Sequence, residues 1–481
     1  MTGSASCVKS PCAALAAAGL GDRILTVNDT AYEERTTSWW SASARLEPAC
    51  IVQPKDTEEV SKVLRALQGS SGSFAVRSGG HSHWAGGSNV DNGVTIDLVH
   101  FKGATYDAST KLASVYPASR WADIFAILEG YGVAVPGGRD GNVGIGGFLT
   151  GGGNSYYTAR AGFGCDSIVN AEVVLADGTI INANKDEHSD LLKALKGGWA
   201  NFGIVTRFDL ETFPAGPVWG GIRASDKSQG ELIANAMVNF TTNNHKNPDS
   251  ALLINWTYNP SMSTDVLLAQ VMMNTAGVER APAFDEALEA TELFNDFSTR
   301  TMSQIADAYL LPASRHNVWF TLTFSNDVRI ITKAAELHDT FVADLLKEIP
   351  PLDLGTQNLF QPVPRLFADL GAARGGNVLG LDAIEGDSLM WLLSCTVSTA
   401  EQELILHEKS AAFAADLAAF ARSIDGLRDW QYINYVDPSQ DPIRSYGAAN
   451  VKFLREVSAK YDPTGFFQKR QAAGFKLPQA L

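Results

Sequence analysis

The chain has 481 residues, 45% of them apolar and 19% charged, and its 38 basic and 53 acidic side chains leave a net charge of −15. That length exceeds one ordinary core and predicts two or three domains. The acidic balance argues against nucleic acid and anionic membrane surfaces, and with no run of about 18 apolar residues no membrane span is expected.

In chain order, Met1 to Gly19 carries the small-residue run Ala13–Ala18 but no basic n-region followed by a long apolar core, so it does not read as a signal peptide. Five cysteines occur, Cys7, Cys12, Cys50, Cys165 and Cys395, none in a CxxC arrangement, which speaks against a zinc site. Cys12 and Cys50 either form a disulfide or, like the others, are reduced buried thiols. After Pro54 a helix is expected, capped by Thr57, with Val60, Val63, Leu64 and Leu67 on one face. Phe74–Arg77 reads as a strand that runs into Ser78-Gly-Gly-His-Ser-His-Trp-Ala-Gly-Gly87. Val94, Ile96 and Leu98 mark another strand, and Trp121, Ile124, Phe125 and Leu128 another helix. A second glycine cluster runs from Gly137 to Gly147 and on to Gly151-Gly-Gly153. Asp177-Gly178 joins a hairpin between Ala171–Leu175 and Thr179–Ile181. Gly197 to Thr206 closes this half.

From about Pro214 to Trp430 glycine thins out. Apolar runs at Ala251–Tyr258, Val266–Met273, Val318–Phe324 and Leu389–Cys395 alternate with alanine-rich helices such as Ala411–Ser423, the texture of an α+β domain with an antiparallel sheet. A last helix is expected near Asn450–Lys460. The boundaries expected are 1–213, 214–430 and 431–481.

Glycine clusters let backbone amides approach a phosphate with no side chain in the way. The familiar solutions are missing here. There is no GxxxxGK[ST] loop, no HExxH and no complete GxSxG; the nearest dinucleotide fingerprint, Gly144-Ile-Gly146, has Leu149 at its third position, which excludes a nicotinamide dehydrogenase reading. What remains distinctive is His81, held between Gly79-Gly80 and Ser82 at the end of a strand.

Four features recur in one order: Arg77-Ser-Gly-Gly-His-Ser82, Val143-Gly-Ile-Gly-Gly147 with Gly151-Gly-Gly153, Asn201-Phe-Gly-Ile-Val-Thr206, and Tyr432-Ile-Asn-Tyr435 followed by Lys460-Tyr-Asp-Pro463. Together they resemble the berberine bridge enzyme-like branch of the vanillyl-alcohol oxidase superfamily, over nearly the whole chain. Trp39-Trp40, Pro48-Ala-Cys50 and Gly216-Pro-Val-Trp-Gly220 resemble its microbial eukaryotic members most. The resemblance implies an α+β fold: an FAD-binding domain in two subdomains, completed by the C-terminal segment, and a substrate domain with an antiparallel sheet over the isoalloxazine. It implies FAD bonded through its 8α-methyl carbon to His81. It also implies cofactor contacts from Arg77, Ser78, Gly79, Gly80, Ser82, Gly138, Val143, Gly144, Gly147, Gly151, Gly152, Gly153, Gly203, Ile204, Val205 and Asn434. Many relatives carry a second, cysteinyl link three residues before the position of Val143. This chain has Asp140 there, so that link is not expected, and Cys165 is expected to be a buried structural thiol. Relatives with valine at position 143 resemble oxygen-reactive oxidases, which points to O2 as electron acceptor and H2O2 as product.

Oxidation by hydride removal needs a base near the flavin. Free tyrosine titrates at about 10, so a tyrosine base needs a positive charge or hydrogen bonds nearby. Tyr435 is the expected base, with Tyr432 as the fallback. Tyr156, Tyr157, His83, Trp84, His316, Trp319 and Trp391 either line the substrate pocket or fill core; Tyr157, Trp84, His316 and Trp391 are taken as pocket residues. No metal site is expected. The expected activity is an FAD-dependent oxidase acting on a specialised metabolite or a sugar. The alternatives are a carbohydrate oxidase specifically and a flavin-binding protein without turnover. The family, together with sequons at Asn28, Asn239 and Asn255, points to a secreted glycoprotein.

Overall fold

A computed structural model describes residues 10–479, and every count below refers to them. Cys7 lies outside the described residues.

Two sheets make the first half. The strands Ile24–Leu25, Cys50–Val52, Val94–Asp97 and Phe74–Arg77 lie side by side in that order, the last three parallel. Their apolar residues pack against the helix Thr57–Gln68, whose buried face is Val60, Val63, Leu64 and Leu67, as its periodicity predicts. Its cap is Asp56, whose carboxylate accepts from the Glu59 amide at 2.8 Å, not the expected Thr57. Thr57 instead donates from its hydroxyl to Glu172. The second sheet is antiparallel, ordered Ala104–Asp107, Leu112–Val115, Ile204–Glu211, Ile168–Val174, Ile180–Asn184. The hairpin expected around Asp177-Gly178 is its last pair. Cys12 and Cys50 form a disulfide that ties the chain's start to the first sheet.

The second half is dominated by one antiparallel sheet of nine strands. Its central strands are Leu267–Asn274, Ser250–Tyr258, Gly355–Val363, Ser388–Val397 and His316–Ser325. Side chains alternate across a strand, and here both faces are covered. Ile254, Trp256, Leu268, Phe320, Phe360, Trp391 and Leu393 point outward into a core built with the helices Gly230–Asn243, Val328–Leu345 and Ala400–Ser423. Leu253, Asn255, Ala269, Val271, Trp319, Gln357, Leu359, Leu392 and Ser394 point inward to a cavity. Two of the sheet's long strands went unrecognised in the sequence, Val218–Asp226 and Gly355–Val363, as did its short strands Glu292–Asn295, Ser298–Arg300 and Leu427–Arg428. The first carries consecutive glycines. The second places Gln357, Asn358 and Gln361 among its apolar residues, which hides its periodicity.

After the short strand Leu427–Arg428, Tyr432 to Tyr435 forms a turn beside the cavity. The helix Ala448–Tyr461 follows. The chain then returns to the first sheet, where the Phe74 amide donates to Arg470 O at 2.9 Å, and Phe466 and Phe467 pack on Phe74.

Candidate active site

A cavity of about 430 Å³ lies between the glycine-bearing half and the inner face of the nine-stranded sheet. Its floor is Ser78 to Trp84, then Gly138 to Phe148, then Trp199 to Val205. The two glycine loops touch: a Cβ on Gly144 would sit 2.5 Å from Gly79 Cα. The Ser78 hydroxyl locks them together, donating to Pro117 O and accepting from the Gly146 amide at 3.1 Å. Among the described residues the amides of Gly79, Gly80, His81 and Ser82 find no acceptor. A run of free amides beside glycine is suited to an anion such as a pyrophosphate. Gly147 faces the cavity with nothing within 4 Å of where its Cβ would be. These features fit a bound dinucleotide on this floor.

His81 has a built environment. Trp40 stacks on its ring with centroids 4.3 Å apart and planes 10° from parallel. Asp140 Oδ2 lies 3.6 Å from His81 Nε2, beyond hydrogen-bond reach, so this buried nitrogen has no hydrogen-bond partner. His83, two residues on, is buried, stacks on Trp319 and bonds through Nε2 to Val436 O. Burial drives its pKa down to about 3, so it is neutral.

Tyr435 lines the same cavity. The Arg139 guanidinium donates through Nη2 to Tyr435 Oη and to Gln361 Oε1, each at 2.6 Å. Trp319 and Tyr432 meet the Tyr435 ring edge-on and fix its orientation. A guanidinium donating to a phenol oxygen that faces a cavity places a positive charge where a reacting group would meet the hydroxyl. Tyr156 lines the same cavity, and burial pushes its hydroxyl up to about 12, which keeps it protonated as a donor.

Of the residues singled out in the sequence, Ser78, Gly79, Gly80, His81, Ser82, Trp84, Gly138, Val143, Gly144, Gly147, Gly203, Ile204, Val205, Asn434, Tyr432 and Tyr435 converge on this cavity. The others need correction. Arg77 turns away from it: its guanidinium stacks 3.6 Å over Trp39 and donates to Arg35 O and Ser38 O. It supports the loop from behind, where a Cβ on Gly80 would meet it at 2.7 Å. Gly151, Gly152 and Gly153 lie one layer beneath the floor. The Tyr432 hydroxyl accepts from the amides of Gly153 and Asn154 and from Asn434 Nδ2, which makes it a brace, and burial raises it further from the range of a base. Tyr157 points into the core against Phe213, and its neighbour Tyr156 takes the cavity side. Trp391 is fully buried on the outer face of the sheet, with its indole donating to Asn358. His316 pairs with Glu403 at 2.6 Å outside the cavity. Cys165 is buried, and desolvation raises its thiol well above the ordinary value. Asn255 of the third sequon is 9% exposed and faces the cavity, so a folded chain offers no glycan site there. Sequence reasoning missed Arg139 and Tyr309, and noted Trp40 only as texture. Arg139 follows Gly137-Gly138 directly, and that adjacency was the available signal.

The sequence matches the family model of an FAD binding domain over residues 48–184 and that of berberine and berberine-like proteins over residues 431–473. The FAD-dependent monooxygenase drtC of Aspergillus calidoustus is 35% identical over 472 residues, spanning 97% of this chain and 90% of that one. The FAD-dependent monooxygenase sdcF of Emericella nidulans is 35% identical over 476 residues, spanning 98% and 99%. Two solved structures share the fold. The glucooligosaccharide oxidase of Acremonium strictum, whose FAD is described as 6-S-cysteinyl and 8α-N1-histidyl, has a TM-score of 0.80 at 18% identity over 98% of this chain and 100% of that one. The berberine bridge enzyme of Eschscholzia californica has a TM-score of 0.76 at 16% identity over the same shares. On the strength of full-length relatives at 35% identity and a floor suited to a dinucleotide, this chain belongs to the berberine bridge enzyme-like family of FAD-dependent oxidoreductases, within the vanillyl-alcohol oxidase superfamily.

Proposed function

We propose that the protein is an oxidase that removes two electrons from a small, largely apolar hydroxyl-bearing metabolite, with FAD bonded to His81 and O2 as the final acceptor, giving H2O2. The observation that carries this reading is the pairing of Tyr435 with Arg139 in the same cavity that holds His81 on its glycine floor.

FAD, when bound, supplies a two-electron acceptor. Everything else is the work of side chains. Acting as the phenolate, its charge offset by Arg139, Tyr435 takes the proton of the substrate hydroxyl and becomes the neutral phenol. Gln361 holds Arg139 in place from its other side. Tyr156 and Tyr309 offer hydroxyls at the cavity wall, Tyr309 being oriented by Asp296 and Arg300 at 2.7 Å each. Ile222, Leu253, Ala269, Val271, Leu359 and Leu392 make most of the sheet side apolar, interrupted by Asn255, Gln357 and Ser394, and the apolar majority favours a specialised metabolite with few hydroxyls over a sugar, since a hydroxyl buried without a partner costs binding energy. Secretion remains part of this proposal, on the disulfide between Cys12 and Cys50.

The relatives named monooxygenases favour a second reading, in which one oxygen atom enters the product. Oxygen uptake with benzylic alcohols and with oligosaccharides as donors separates the readings. The oxidase reading expects one H2O2 per O2 consumed, activity on the benzylic alcohols, and no label from 18O2 in the product. Tyr435→Phe is expected to lower kcat by about 10²–10⁴-fold with flavin retained. Labelled product without peroxide establishes the second reading, and turnover confined to oligosaccharides refutes the substrate class.

A further inference from the structure

A buried carboxylate stands beside His81 at the position where many relatives place the second flavin anchor. Asp140 is 8% exposed. Its Oδ1 accepts from the Asn142 amide at 2.7 Å and its Oδ2 from the Leu311 amide at 2.9 Å, and the latter oxygen lies 3.6 Å from His81 Nε2. The carbonyl of the same Leu311 accepts from Trp40 Nε1 at 3.2 Å. The backbone of one residue thus steadies both the carboxylate at the edge of the imidazole and the indole stacked on its face. Arg120, whose guanidinium interacts electrostatically with Asp140, is itself turned to Asn142 O. A buried carboxylate with no cationic partner is costly; here the ring nitrogen facing it is equally without a partner.

We propose that Asp140 is a positioning residue for covalent attachment of the flavin: it draws the Nε2 proton of His81 toward itself and so leaves Nδ1 as the nitrogen with a free electron pair. The inference rests on the reading of His81 as the anchor. In the attachment, Nδ1 bonds to the 8α carbon as a C–H bond of that carbon breaks and its proton leaves. The electron pair released reduces the flavin, and O2 takes up two electrons and two protons to become H2O2. The imidazole gains positive charge as the new bond forms. The carboxylate 3.6 Å away offsets it, and a small shift of the ring that brings Nε2 within hydrogen-bond reach lets the carboxylate accept the Nε2 proton. Although burial pushes the Asp140 carboxyl up, His81 and the amides of Leu311 and Asn142 hold it below its ordinary value, so it is ionised when needed. A thiol at this position would offer a second bond to the ring; a carboxylate serves the first one.

The test follows flavin, not turnover. Full-length protein is incubated with excess FAD, and the fraction of flavin that survives acid precipitation is followed over time, alongside noncovalent FAD occupancy and the Tm. Wild type, His81→Ala, Asp140→Asn and Asp140→Ser are compared; the serine variant follows the small side chain that relatives carry here. The expected result is FAD binding near the wild-type level in both Asp140 variants, attachment slowed at least about tenfold, equivalent to about 1.4 kcal/mol of barrier, and partial recovery of the rate when formate is added to Asp140→Ser. Attachment at the wild-type rate in either variant overturns the proposal. So does a loss of FAD binding and of Tm that formate does not relieve, which would make Asp140 an anchor for its loops only. A colourless wild-type pellet, or an acid-stable flavin in His81→Ala, refutes the anchor reading itself and is distinguishable from either.

Discussion

Two glycines three residues apart make opposite predictions, and the contrast tests where the cofactor lies. Gly147 sits inside the short helix Ile145–Thr150, faces the cavity, and has nothing within 4 Å of an added Cβ. Gly147→Ala therefore costs the protein nothing in packing and removes glycine's entropic disadvantage in a helix, a gain of about 0.5–1 kcal/mol. The same methyl group projects into the space that FAD is to fill. Overpacking costs about 1–3 kcal/mol, equivalent to about 5–150-fold in Kd. At Gly144 the order reverses: its added Cβ lies 2.5 Å from Gly79 Cα and 2.6 Å from Gly79 N, backbone atoms that cannot swing aside. Gly144→Ala should lower the Tm of the flavin-free protein, whereas Gly147→Ala should raise it slightly. The assay is FAD titration by flavin fluorescence together with thermal melting, both in a His81→Ala background where attachment is blocked. Undiminished FAD affinity in Gly147→Ala would refute the placement of the cofactor on this face of the helix, and a parental Tm in Gly144→Ala would refute the contact between the two loops.

Burial holds His338 neutral against Thr356 Oγ1 and drives its pKa down to about 3. Its unfolded value is about 6.5, so between those limits the unfolded chain binds more protons, and stability falls as pH drops from 6.5 toward 3. At pH 5 this amounts to about 2 kcal/mol, and His338→Gln should flatten the decline of Tm between pH 7 and 5; an unchanged slope would contradict it. The bond between Cys12 and Cys50 spans 38 residues, for which loop-closure entropy gives about 3–4 kcal/mol. Cys12→Ser, or reductant, should lower the Tm accordingly, and equal melting with and without reductant would refute it.

The glycine floor was legible because glycine punctuates sequence wherever backbone must come close to something else. His81 stood out for the same reason. The outer sheet was harder. Leu389–Cys395 is apolar at almost every position because helices cover one face and the cavity the other, so alternation carries no sign. Its register assigns Leu392 and Ser394 to the cavity and Trp391, Leu393 and Cys395 to the helices. A shift of one residue reverses every such assignment, which is why the side taken by Trp391 could not be read from its strand, while Tyr157 sits in the turn before the helix Thr158–Ala161, where no alternation applies. Arg139 was hidden differently. Its partners Gln361 and Tyr435 lie 222 and 296 residues away, and no local pattern reports a contact made only by folding. The C-terminal turn declared itself through Tyr432-Ile-Asn-Tyr435, but which tyrosine braces the floor and which faces the cavity follows from packing alone.

The segment between the helix Met302–Ala308 and the strand His316–Ser325 has a bearing on how such an enzyme diversifies. It gives Tyr309 and Leu311 to the cavity wall, and the backbone N–H and C=O of that same Leu311 hold Asp140 and Trp40 around His81. A lineage that reshapes this wall to admit a new metabolite also disturbs the surroundings of the histidine. Changes of taste are therefore cheaper on the sheet, where Leu253, Val271 or Leu392 can vary without touching the cage, and inherited variation in substrate choice should gather there and leave the loop alone.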